Sequence, residues 1–243
     1  MTFTCPARYV HPRNACTYGA LLASWFAVVS AHESASWHLP GALLALGVVL
    51  DTFDGRFARR FTTGRDHSAF GVEFDSLADA VVFGLAPLVS MYLILDFEGS
   101  TATRLWWSAA AIAYLVSALT RLGCYNLHQT TEDHFLGIPT TLAGLLLSTL
   151  FLFHPSVLVT AVVLVGCAVA MLAPIVVPRP RALGLWVFVG WIALVFTLHG
   201  LALARAPRED HRAPHTSPSA SAVSHPVASL RTGASHGAAE VIR

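Results

Sequence analysis

Long apolar runs follow one another along the chain, each closed by a short polar or proline-containing stretch. They cover residues 15–31, 41–50, 74–95, 106–123, 138–153, 155–177 and 183–203. About 20 apolar residues suffice to cross a bilayer, so the pattern predicts seven transmembrane helices, the fifth of marginal length. The second run leads without a break into Asp51 and ends among Arg56, Arg59, Arg60 and Arg65. Its helix therefore carries acidic residues before it emerges on a basic side. The expected fold is an all-α polytopic transmembrane bundle. Residues 1–14 form a polar interfacial segment and 15–204 the membrane domain. The stretch 205–243 is rich in Ser, Pro, His, Ala and Gly without apolar periodicity, which predicts a disordered tail.

Composition agrees with that division. The chain is 55% hydrophobic and only 12% charged, against about 25% charged in a soluble domain. A formal net charge of +1 offers no basic face to a nucleic acid. Cys5, Cys16, Cys124 and Cys167 are too widely spaced for a zinc site or a disulfide framework and read as apolar fillers or free thiols. The tail histidines lack helical or finger-type spacing and predict only adventitious metal binding. Arg8 and Arg13 precede the first span, but no small-residue cleavage site follows it, so it reads as a retained helix. The positive-inside rule puts the Arg56–Arg65 loop in the cytoplasm, with Arg8, Arg13, Arg121, Arg179 and Arg181 on the same side. Seven spans leave Arg205, Arg208 and Arg212 on the other side, against the rule.

Four aspartates stand out because they lie within apolar segments, where an ionisable group marks a functional site by default. Asp51, Asp54, Gly55 and Ala58 recur at i, i+3, i+4 and i+7, one face of a helix. Gly71, Asp75 and Asp79 recur at i, i+4 and i+8, again one face. Two neighbouring antiparallel helices would aim all four carboxylates at one point. Oxygen ligands without His or Cys suit Mg²⁺ or Mn²⁺, and four carboxylates can hold two ions about 3.5–4 Å apart. Gly55 and Gly71 let a bulky group approach the backbone, and Arg59 can pair a phosphate oxygen. Helix-end carboxylates neutralised by arginines would account for any one of these aspartates, but not for four in register.

The pattern D-x2-D-G-x2-A-R followed by G-x3-D-x3-D resembles the signature of the CDP-alcohol phosphatidyltransferase family. That resemblance implies a six-helix catalytic core, here with about one further span, and exchange of the CMP of a CDP-linked lipid for a small alcohol at a two-metal site. It assigns Asp51 and Asp75 to both ions, Asp54 to the first and Asp79 to the second, with Asp79 also the general base. Gly55, Ala58, Arg59 and Gly71 are implied to hold the CDP-lipid. Asn14-Ala-Cys-Thr17 is similar to an early Asn-x-x-Thr of the family, which puts Asn14 and Thr17 against the nucleotide, although Asn at a helix start is commonly an N-cap. The eleven residues between Arg59 and Gly71 exceed the family's usual spacing. The excess falls in the polar loop around Gly64, where length costs little.

Phe70-Gly71-Val-Glu-Phe-Asp75-Ser76-Leu-Ala-Asp79, with Phe83-Gly84-Leu-Ala86-Pro87 after it, resembles the phosphatidylserine synthase branch. So does Arg121-Leu-Gly-Cys124-Tyr125-Asn126 followed by Gly137-Ile-Pro139-Thr140-Thr141, although Cys124 stands where some members carry a second Arg. The branch implies CDP-diacylglycerol and L-serine as substrates and the bilayer as surroundings. A second copy of the chain, in a homodimer, is a further expected partner. Arg121 fits a phosphate or the serine carboxylate, or else snorkels to the interface. Asn126 reads as a cap or turn, Thr140 and Thr141 as a helix start or a pocket wall, and Ser76 and Phe83 as packing. The alternatives are another acceptor of the same family (glycerol phosphate, inositol phosphate or choline) or a cation transporter. The first would want more basic residues near the site; the second would want paired polar residues in spans five to seven.

Overall fold

The computed structural model describes residues 6–34, 36–61, 65–128, 134–178 and 182–205. The expected disordered tail, Cys5 and the middle of the 60–70 loop lie outside these. Two short 3₁₀ turns, Pro6–Tyr9 and Pro12–Asn14, lead into the bundle. The helices are α1 (Ala15–Ser34), α2 (His38–Ala58), α3 (Arg65–Asp79), α4 (Ala86–Ile94), α5 (Thr101–His128), α6 (Thr140–Phe151), α7 (Val157–Leu172) and α8 (Ala182–Arg205). A π-helical segment, Ala80–Leu85, joins α3 to α4, so 65–94 is one helical rod. Among the described residues there are thus seven helical rods, one for each apolar run, but only four stretches meet the length and hydropathy of a membrane span. The stretches Pro12–Ser34, Ala69–Ile94, Thr101–Leu127 and Gly184–Arg205 are long and apolar enough to cross a membrane, and the protein is an integral membrane protein. By contrast α6, the marginal fifth run, rises only about 18 Å.

Packing centres on α2, which lies along α1 and against α6 and α8, while α5 pairs with α7. Small residues on α2 make this close approach possible: Gly41, Ala42, Ala45 and Gly47 are all buried. Polar side chains lock the rods together. Trp107 on α5 donates to Thr160 Oγ1 on α7 (2.8 Å), Ser148 on α6 donates to the Gly41 carbonyl (2.8 Å), and Trp191 on α8 donates to Thr149 Oγ1 (3.2 Å). Large apolar side chains left on the outside, such as Leu22, Trp25, Phe26, Ile112, Val162 and Trp186, form the lipid-facing surface.

Two short strands, β1 (His134–Leu136) and β2 (Val176–Pro178), pair antiparallel with Phe135 opposite Val177. They are a small addition to an otherwise all-α fold. Gly137 follows β1 with φ +72°, and an added Cβ would strike the Met171 carbonyl, so only glycine fits. From there Pro139, in extended conformation, starts α6 at Thr140.

The π segment has a local cause. Pro87 has no N–H to give to the carbonyl four residues back, that of Phe83, and its ring crowds that oxygen. The helix loosens there, with the Ala86 N–H bonding to the Val81 carbonyl. Tyr114, fully buried on α5, donates its hydroxyl to the Phe83 carbonyl at 2.8 Å. Phe83 is thus more than packing: its backbone oxygen ties the rod carrying Asp75 and Asp79 to α5. Tyr114→Phe should leave that carbonyl unpaired in an apolar interior and cost about 1–3 kcal/mol, measured as a lower midpoint of thermal or denaturant unfolding in detergent. Unchanged stability would show that the bond is dispensable.

Candidate active site

The C-terminal part of α2 and the length of α3 carry the four aspartates, in the helical registers expected from their spacing. One carboxylate oxygen each from Asp51, Asp54 and Asp75 lies within 4.8 Å of the others. Asp79 stands outside that trio, one helical turn beyond Asp75 along α3 and beside Asp51. All four thus form one acidic group, partly buried, between two helices. Like charges this close in a desolvated setting need a countercharge or a shared proton. The donors are carboxylates on rigid helices, a set that fits a hard divalent cation such as Mg²⁺ or Mn²⁺.

The surroundings support the cluster from three sides. Thr141, in the first turn of α6, donates its hydroxyl to Asp51 Oδ2 at 3.0 Å and fixes that carboxylate's orientation. The Thr140–Thr141 pair is therefore both a helix start and part of the site wall. Arg121 on α5 is the cation next to Asp79. It turns inward: Nη1 donates to Thr140 Oγ1 at 3.4 Å, the guanidinium carbon sits 5.8 Å from the centre of the Tyr125 ring, and the buried Nε has no hydrogen-bond partner among the described residues. Such a contact pattern is not that of a snorkelling side chain. On the third side Asn14, at the end of the second 3₁₀ turn and only 7% exposed, faces Gly71, where an added Cβ would come within 3.6 Å of Asn14 Oδ1. Thr17, one turn further on, is also buried.

The fourth side is open. A Cβ placed on Gly55 would meet nothing within 4 Å. Ala58 is partly buried in the last turn of α2, and Arg59 is exposed, with Nε donating to the Gly55 carbonyl at 3.0 Å. Gly55 and Arg59 thus flank the accessible face of the acidic group.

Two contacts differ from expectation. Asn126 lies within α5 rather than capping it, accepts from Ser76 Oγ at 3.0 Å and reaches Glu73 at 3.5 Å. Ser76 is therefore a hydrogen-bonding residue, and the pair fastens α3 to α5 beside the aspartates. The Asp51–Thr141 bond joins residues 90 apart in sequence, and only the neighbouring Gly-Ile-Pro-Thr-Thr wording hinted at it.

The sequence profile of the CDP-alcohol phosphatidyltransferase family matches residues 10–199. Among curated relatives, a CDP-diacylglycerol–serine O-phosphatidyltransferase of Helicobacter pylori (strain J99) is 38% identical over 106 residues, 43% of this chain and 42% of that protein. One of Bacillus subtilis with the same name is 34% identical over 117 residues, 46% of this chain and 60% of the relative. An archaetidylserine synthase of Methanothermobacter thermautotrophicus is 31% identical over 147 residues, 58% of this chain and 59% of the relative. These matches each span less than two thirds of the relative's length. A profile covering most of the chain, over the same helices that assemble the acidic group, makes this protein a member of the CDP-alcohol phosphatidyltransferase family.

Proposed function

We propose that the chain transfers the phosphatidyl group of CDP-diacylglycerol to L-serine, giving phosphatidylserine and CMP. The observation that carries this reading is the acidic group itself: three carboxylates within 4.8 Å of one another, with Asp79 one helical turn beyond Asp75. The branch-specific wording around Asp75–Pro87 and Arg121–Thr141 supports serine as the acceptor, and so do the names of the relatives.

In this reading Asp51, Asp54, Asp75 and Asp79 would hold two divalent ions, Mg²⁺ or Mn²⁺, with Asp51 and Asp75 serving both, Asp54 the first and Asp79 the second. Bound there, the ions supply charge neutralisation of the diphosphate and of the departing CMP. Asp79 takes the proton of the serine hydroxyl as that oxygen bonds to the β-phosphorus, while the bond from this phosphorus to the oxygen of CMP breaks. Arg121, beside Asp79, presents its guanidinium to the serine carboxylate or a phosphate oxygen. Asn14, Thr17, Gly55, Ala58, Arg59 and Gly71 line the approach of the CDP group, with Gly55 giving it access to the backbone of α2. The arginines following Asp54 support a cytoplasmic position for this end of the bundle by the positive-inside rule; there CDP-lipid head group and serine meet, and the acyl chains leave sideways between helices.

Purified protein given CDP-diacylglycerol and Mn²⁺ or Mg²⁺ should release CMP with serine and not with glycerol phosphate, inositol phosphate or choline; chelation of the metal should stop the reaction. Release with one of the other acceptors alone would overturn the serine assignment and leave the family intact. Asp79→Asn should lower kcat by about 10²–10⁴-fold. Metal-dependent CMP release at the wild-type rate in that variant would remove Asp79 as the base. Thr141→Val should raise the metal concentration needed for half-maximal rate by about 10–100-fold, with Thr141→Ser restoring it. An unchanged metal requirement in Thr141→Val would show that the bond to Asp51 does not orient a ligand.

A further inference from the structure

A cavity of about 480 Å³ opens at the end of the bundle opposite the aspartates, a volume within the usual range of ligand pockets. It lies between residues 94–98 at the end of α4, the start of α5, Trp37 just ahead of α2, and the first residues of α7. Trp37, Phe97 and Trp106 give it aromatic walls, and Asp96 and Glu98 bring two carboxylates to it from a single turn. That turn is tightly held. Asp96 Oδ1 accepts from the Glu98 N–H at 2.8 Å, and Glu98 and Gly99 both take left-handed conformations, φ +50° and +68°. Left-handed backbone is uncommon for a glutamate, and such strain concentrates where ligands bind.

Other parts of the cavity have the opposite polarity. Helix α7 begins at Val157 behind the N-cap Ser156, and both residues line the space. The free N–H groups of a first helical turn attract anions. Arg104, on α5, rests its guanidinium carbon 5.6 Å from the centre of the Phe97 ring, which is part of the cavity wall. The rim is apolar and outward: Leu158 and Trp106 line the cavity and are 64% and 41% exposed. Tryptophan at a helix end suits the lipid–water interface.

We propose that this cavity binds the head group of a zwitterionic amino-phospholipid of the ethanolamine type, drawn from the surrounding bilayer. The ammonium sits among the Asp96 and Glu98 carboxylates and the aromatic rings, which attract it through their π faces. The phosphate meets the first turn of α7 and the Arg104 guanidinium. The acyl chains run out over Leu158 and Trp106. A purely anionic head group, such as that of phosphatidylglycerol, gives the carboxylates no partner and is repelled by them. A soluble amine has no chains to cover the apolar rim. Bound lipid braces the turn between α4 and α5 against the start of α7, at the end of the bundle away from the acidic group.

The test titrates full-length protein in detergent with dioleoylphosphatidylethanolamine, dioleoylphosphatidylglycerol or soluble phosphoethanolamine and follows thermal unfolding. Asp96→Asn removes one charge while keeping an oxygen for the Glu98 N–H; the double variant Asp96→Asn, Glu98→Gln removes both. The ethanolamine lipid should raise the unfolding midpoint of wild type by about 2–4 °C. Half of that rise should need about tenfold more lipid in the double variant. Phosphatidylglycerol should give a smaller shift, equal in wild type and variant, and phosphoethanolamine none at matched concentration. An equal response of wild type and double variant to the ethanolamine lipid would overturn the site. A shift from phosphoethanolamine as large as that from the lipid would overturn the bilayer as the source of its occupant. If the double variant does not fold, Asp96→Asn decides alone.

Discussion

Mutual repulsion among the aspartates is the constraint to which the rest of the bundle answers. At separations of 4.8 Å or less, each pair of full negative charges costs more than about 3 kcal/mol at an effective dielectric of about 20. Three full charges this close are therefore not held bare: the cluster shares protons or takes up cations. A scaffold that relaxed freely would part α2 from α3 and lose the site. Several features prevent this: the small-residue seam of α2, the Ser76–Asn126 bond between α3 and α5, and the Thr141 hydroxyl on Asp51. A cation bound among the carboxylates would relieve that repulsion.

The π segment has a place in this balance. It begins immediately after Asp79 and shifts the facing of everything beyond it relative to α3. The Asp75–Asp79 half can thus turn towards α2 while Ala86 and Leu88 turn into the core formed with Trp107 and Tyr114. The proline that breaks the regular ladder and the tyrosine that catches the released carbonyl are 27 residues apart in sequence, yet they act as one device.

The aspartates were legible because helical periodicity relates residues within one or two turns, and both halves of the acidic motif are local in that sense. The rods were legible as apolar runs, most clearly the four stretches long and apolar enough to cross a bilayer. Contacts between rods leave no such record. Thr141 and Asp51, Tyr114 and Phe83, and Trp107 and Thr160 are each partners that a single sequence does not link. Asn126 looked like a cap because Asn favours helix ends. In the folded chain a carboxamide within reach of Ser76 and Glu73 gains more from bridging α3 to α5 than from capping.

Helix α2 concentrates these lessons. From His38 to Asp51 it rises about 20 Å, with imidazoles gathered at one end and carboxylates at the other. Between them lies a stretch of glycine, alanine, leucine and valine that admits neighbours closely and offers no ligand to an ion. The small-residue seam holds α2 in place because close-packed backbones leave no soft side-chain layer between it and its neighbours.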